Sequence, residues 1–199
     1  LQEMRNINLF EILYKIGEKH CHKGCPYHLE DNLTHNVLVS LYCLTENIDK
    51  DFMVMFRRAF TGLFHDCGKN NTHTINKKNI GYPAHCLCGS IILRRLYTPG
   101  FNQWFNISEW ELLCDTVKDH MCGSNKPFSH LTKSFLCQLP EANIEELMYL
   151  GKCDKIGAIR QSNFICEDKV FAEYDEEIIS VKNSSGKIPL SDFMYEHNL

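Results

Sequence analysis

The sequence predicts an all-α protein. Apolar residues recur at three- and four-residue spacing along most of the chain, and no alternating strand pattern persists. Polar, Gly- or Pro-containing stretches punctuate the periodic segments.

Taken in order, Met4, Ile7, Phe10, Ile12, Leu13 and Ile16 recur at three- and four-residue spacing along a first helix that stops at Gly17. Asp31 or Asn32 can cap a second helix carrying Leu33, Val37, Leu38, Leu41 and Leu44. A third runs from about Asp51 through Met55, Ala59 and Leu63 to Gly68. The stretch from Asn70 to Tyr82, with Lys77 and Lys78, reads as a polar loop. Pro83 suits the first turn of a fourth helix, carried by Ile91, Ile92 and Leu96 to the stop at Pro99-Gly100. Ser108 followed by Glu111 fits a capping box for a fifth helix reaching about Met121. A short helix over residues 131–139 and a longer one over 143–162 follow. The acidic segment from Glu167 to Val181 is weaker. Asn183-Ser184-Ser185-Gly186-Lys187 marks a turn, so one domain is expected over residues 1–182 with a tail over 183–199.

A chain of 199 residues is long enough to bury a core without staples. Its 44% apolar and 23% charged content is that of an ordinary soluble protein. A net charge of −4 argues against binding duplex DNA through bulk electrostatics. No apolar run reaches membrane-spanning length, so no membrane partner is expected. The 11 cysteines are odd in number and scattered singly, which fits reduced thiols and a cytoplasmic setting. Because the chain begins with Leu1, it reads as an excised or processed segment.

Two features carry chemistry. The stretch HCHKGCPYH (residues 20–28) is rich in metal-ligand side chains. However, its Cys-x3-Cys spacing does not match a structural zinc knuckle, and Gly24 and Pro26 mark a turn. The second feature is an ordered series placed on successive helices: His35, the adjacent pair His65 and Asp66, His85, His120 and Asp154. A single HD dipeptide is weak evidence, and a lone buried His is more often a satisfied core residue. The whole ordered set is much harder to obtain by accident. Four imidazoles and two carboxylates suit Mn, Fe, Ni, Co, Mg or Zn better than a soft thiolate metal. Asp66 has two oxygens and could bridge two cations. Gly68 would let the backbone turn away and leave room for a ligand.

On CPYHLEDNLTHNVLVSL, RRAFTGLFHDCGK, YPAHCLCGSIIL, LLCDTVKDHMCG and LGKCDKIGAIR, in that order, the chain resembles the HD-domain metal-dependent phosphohydrolases. Among these it is most similar to the HD domain of bacterial tRNA nucleotidyltransferases. The resemblance covers roughly residues 25–160, with Asn36 where the family usually has Thr. No nucleotidyltransferase half is present, so tRNA tailing is not implied.

The resemblance implies an HD-domain helical bundle with one or two divalent ions. His35, His65, Asp66 and Asp154 would hold one ion, and His85 and His120 a second with Asp66 shared. In the single-ion alternative, His85 and His120 would hydrogen-bond substrate oxygens. Lys69 would contact a substrate phosphate, and Arg160 would add a bidentate contact. His28 and Glu30, at the mouth of the site, would touch substrate. The implied substrate is a phosphoester on a nucleotide or RNA end, with 2′,3′-cyclic phosphodiesterase and 2′-phosphatase activity of the RNA end-healing kind. A fused or associated nucleic-acid-processing domain would be the partner. The competing readings are a diadenosine tetraphosphate hydrolase, a deoxynucleotide phosphohydrolase, a non-catalytic nucleotide-binding module, and a zinc-dependent interaction module built on residues 20–28.

Overall fold

The structure, a computed structural model, describes residues 31–45, 51–72, 74–76, 79–97, 104–124, 135–158 and 176. The expected helix over 4–16, the stretch 20–28, residues 159–175 and the tail 183–199 lie outside them. So do His28, Glu30 and Arg160.

Within the described residues the protein is all-α, with one short hairpin. Helix α1 spans Asn32–Thr45. Asp31 caps it, its carboxylate accepting from the Thr34 N–H at 2.8 Å and the Thr34 hydroxyl at 3.0 Å. Helix α2 spans Phe52–Phe64, and its cap Asp51 accepts from the Met53 N–H. It ends four residues earlier than Gly68. The chain tightens there through turns that bond Cys67 N–H to Phe64 O and Lys69 N–H to Asp66 O.

Residues 70–82 are not a plain loop. A single turn, α3 (Lys69–Thr72), leads into β1 (Thr74–Asn76) and β2 (Asn79–Gly81), paired antiparallel with Ile75 opposite Ile80. Three-residue strands are too short to show a period-two pattern in sequence.

Helix α4 spans His85–Leu96. Its N-cap is Ala84, in the left-handed region at φ 54°, so Pro83 precedes the helix instead of occupying its first turn. Helix α5 spans Ile107–Asp119. Its capping box is Asn106 with Glu109, each side chain accepting from the other's backbone N–H at 3.0 Å, and not Ser108 with Glu111. That start turns Trp110, Leu113 and Val117 inward. Helix α6 (Met121–Ser124) is one turn, and α7 spans Glu141–Gly157, shorter at its C-terminal end than expected.

Two apolar clusters fix the helices that matter here. Phe60, Phe64, Leu93, Phe105, Trp110, Leu113 and Val117 join α2, α4 and α5. Val39, Cys43, Ala59, Leu150 and Cys153 join α1, α2 and α7. Trp110 and Phe105 are therefore core residues, while Trp104 lies 44% exposed against Phe56. Each fully buried aromatic or Leu contributes about 1.5–3 kcal/mol.

Helices α1 and α2 run antiparallel. The Ser40 hydroxyl donates to Ala59 O at 2.8 Å, and one turn earlier the Asn36 amide donates to Leu63 O at 3.1 Å. Continued in that sense, the start of α1 meets the end of α2, where His65 and Asp66 sit. No helix among the described residues is long and apolar enough to cross a membrane.

Candidate metal centre

His65 and His120 each occupy the residue immediately after a helix, as the C-caps of α2 and α5, and His85 is the first residue of α4. All three rings bend back on their own chain. Nδ1 of His65 donates to Gly62 O at 2.7 Å, Nδ1 of His85 to Tyr82 O at 2.8 Å, and Nδ1 of His120 to Val117 O at 2.7 Å. A carbonyl can only accept, so each Nδ1 carries its proton. In the neutral ring each Nε2 is then left to present a lone pair inward, the orientation used by metal-binding histidines.

These nitrogens converge on Asp66, which is 3% exposed. Its Oδ1 lies 3.3 Å from His85 Nε2 and 3.6 Å from His120 Nε2. Its Oδ2 lies 3.4 Å from His65 Nε2 and in contact with Lys69 Nζ. On the same side Asp154 Oδ1 sits 2.9 Å from His35 Nε2 and 3.6 Å from His65 Nε2. The structure thus gathers two buried groups able to hold a metal ion, His35–His65–Asp66 and Asp66–His85–His120. All six residues singled out as ligands are brought together.

Three observations test whether a divalent cation fits. First, two ligands about 2.1 Å from one ion at near-right or tetrahedral angles lie about 3.0–3.4 Å apart, and the separations around Asp66 fall in or near that range. Second, His85 Nε2 and His120 Nε2 face each other at 3.2 Å. With both protons held on Nδ1, two lone pairs would repel at that distance unless a cation or proton sits between them. Third, the buried Nε2 of His65 has no hydrogen-bond partner. The carboxylates beside it, at 3.4 and 3.6 Å, act as charges at a distance too long for a good hydrogen bond. The donor set fits a hard or borderline divalent ion.

The electrostatics agree. Burial works against ionising Asp66. The Lys69 ammonium and His65 outweigh it and hold the carboxyl well below the usual range. Asp154 is likewise held low against burial by its hydrogen bond with His35 and by the charge of His65 beside it. Burial lowers the pKa of His65, but Asp66 and Asp154 overcome this and push it up to about 10. His120 goes the other way, lowered chiefly by burial. In the metal-free centre two carboxylates are therefore balanced by the Lys69 ammonium and a proton on His65. A bound cation would take over that proton's role.

Lys69 is not the solvated charge its place in a polar stretch implies. It is 9% exposed, pairs with Asp66 and lies 5.5 Å from the centre of the Tyr82 ring. Tyr82 was absent from the expected site, and only its distance from His85, three residues on, hints at its carbonyl's role.

The backbone turns at Gly68 as expected, but the space beside it is filled by α4 and not left for a ligand. A Cβ there would lie 2.0 Å from His85 O and 2.5 Å from Gly89 N, so α4 rests directly on the HD turn. The described cysteines, Cys67 and Cys153 among them, are all free thiols. No family model, curated protein or solved structure matches this chain.

Proposed function

We propose that the protein is a metal-dependent phosphohydrolase of the HD-domain kind. Its substrate would be a phosphoester on a nucleotide or RNA end, with 2′,3′-cyclic phosphodiesterase and 2′-phosphatase activity in RNA end healing. The observation that carries this reading is the position of Asp66, whose two oxygens face two different groups of inward-pointing ligands. Together with the ordered motifs of the sequence, it supports a centre built for one or two divalent ions. The free thiols support a reducing, cytoplasmic setting.

A divalent metal bound here supplies charge neutralisation on phosphoryl oxygens and lowers the pKa of an attacking water. The chain's own residues supply the rest. Asp66 and Asp154 fix the negative field that selects a cation. The three backbone carbonyls hold the His65, His85 and His120 rings so that no nitrogen turns away. Lys69 adds a positive charge at the same carboxylate, within reach of a phosphate that approaches it. Burial of His35, His65, Asp66 and His120 keeps the dielectric low, which strengthens each of these interactions.

The test is a panel of phosphoesters assayed with Mn²⁺, Ni²⁺ and Co²⁺, alongside Asp66→Ala. Hydrolysis of 2′,3′-cyclic AMP that disappears in Asp66→Ala is expected. If that substrate stays intact while diadenosine tetraphosphate or another nucleotide is cleaved, the substrate class changes and the hydrolase reading stands. If no phosphoester is cleaved with any of the metals, the hydrolase reading falls.

A further inference from the structure

About two turns below the candidate metal centre, a buried ionic cluster ties together the three helices that carry His35, His65 and Asp154. Arg58 on α2 grips Glu146 on α7 with two nitrogens: Nε donates to Oε1 and Oε2 at 3.0 and 3.1 Å, and Nη2 lies 3.0 Å from Oε1. Arg57 donates to the same carboxylate at 3.0 Å. The Arg58 guanidinium also stacks 4.2 Å from the centre of the Tyr149 ring, and the Tyr149 hydroxyl donates to Cys43 O on α1 at 3.3 Å.

The spacing along each helix is nearly the same. His65 lies seven residues beyond Arg58, Asp154 eight beyond Glu146, and His35 eight before Cys43. At about 1.5 Å per residue, each ligand stands about 10–12 Å from the cluster. Arg58 to Glu146 and His65 to Asp154 both connect α2 to α7 in the same sense, so these helices run parallel, joined at two levels.

We propose that Arg58 and Glu146 are positioning residues for the metal centre. They lock the axial register of α7 against α2, and through Tyr149 that of α1, so that Asp154 meets His35 and His65. This inference rests on the metal-centre reading above. Stability alone is a poor explanation for the cluster. Burying charges costs solvation energy, and apolar residues of similar volume commonly hold helices together as well or better. A bidentate guanidinium–carboxylate pair instead fixes one relative position, because its paired bonds fail when either helix slides by a fraction of a turn.

The test measures Co²⁺ binding by the full chain through affinity and the visible absorption band, which reports ligand geometry. Wild type is compared with Arg58→Lys, which keeps the charge but loses the fork, and with the apolar pair Arg58→Met plus Glu146→Leu. In both variants about tenfold weaker Co²⁺ binding and an altered band are expected. The paired variant should keep a metal-free melting temperature near that of wild type. Unchanged affinity and band in a folded variant would overturn the proposal while leaving the metal centre intact. A wild type that binds no Co²⁺ would remove the metal reading itself.

Should the variants fail to fold, hydrogen exchange on wild type decides. Coupling is reciprocal, so Co²⁺ must slow exchange at residues 146–150 as well as beside Asp154. Protection confined to the neighbourhood of Asp154 would overturn the positioning role.

Discussion

His35 Nε2 stands 2.9 Å from Asp154 Oδ1, joining side chains 119 positions apart in the chain. The contact closes α7 onto α1 at the level of the HD turn. It places Asp154 where its carboxylate also acts on His65, 3.6 Å away. Asp154→Asn keeps the shape and a hydrogen-bonding oxygen but removes the charge. Mn²⁺ affinity should fall at least about tenfold with the fold retained. In the metal-free protein the His65 pKa should drop from its value of about 10, because one of the two carboxylates that raise it is gone. Titration of the His65 ring by NMR checks this, and an unmoved value would break the link between the two residues.

Gly68 lies where α4 crosses the HD turn. A methyl group there would overlap His85 O and Gly89 N, both backbone atoms that cannot swing aside. Gly68→Ala should therefore cost about 3 kcal/mol or more. Gly89→Ala, whose Cβ would meet Cys67 Sγ and Val117 Cγ1 at 3.3 Å, should cost about 1 kcal/mol because side chains can yield. Urea unfolding of the two variants gives the comparison, and equal losses would contradict the close backbone approach.

These two cases show what was legible in the sequence. The helices were readable because their buried faces repeat at helical spacing. The six clustered His and Asp residues were readable because they recur on successive helices in a fixed order. Details set by tertiary contact were not. Asn106-x-x-Glu109 and Ser108-x-x-Glu111 are equally good capping boxes as strings, and only the inward burial of Trp110 decides between them. Lys69 sits in a polar run, and nothing local says that it folds back onto Asp66. Glu146 finds Arg58 from 88 positions away, with no short-range signal.

Ala84 holds a left-handed backbone directly before His85, with φ at 54°. For a residue with a Cβ this conformation costs about 1–2 kcal/mol. Ala84→Gly should leave stability unchanged or raise it by up to about 1 kcal/mol, the relief offset in part by the greater freedom of glycine in the unfolded chain. Ala84→Val should lose about 1–2 kcal/mol, since a β-branched side chain fits this region worst. Chemical denaturation of the pair settles the order, and a Val variant as stable as the Gly variant would refute the strain.

The metal-free protein should lose stability as pH rises from 6.5 toward 10. His65 has a folded pKa of about 10 against an unfolded value of 6.5. Its proton therefore favours the folded state fully below pH 6.5, and that contribution disappears as pH climbs through the folded value. Asp66 and Asp154, held below 3.8, act at the opposite end, their contribution vanishing only as pH falls beneath that value. Buried thiols such as Cys67 add alkaline loss only above their unfolded pKa of 9.0, so the interval from about 6.5 to 8.5 isolates His65. Melting temperatures of chelator-treated protein should fall across that interval, and His65→Gln should flatten the fall. Adding Mn²⁺ should reverse the trend, because a cation that binds neutral imidazole is favoured as the proton leaves. A metal-free profile that stays level between pH 6.5 and 8.5 would show that His65 does not carry the proton that balances Asp66 and Asp154.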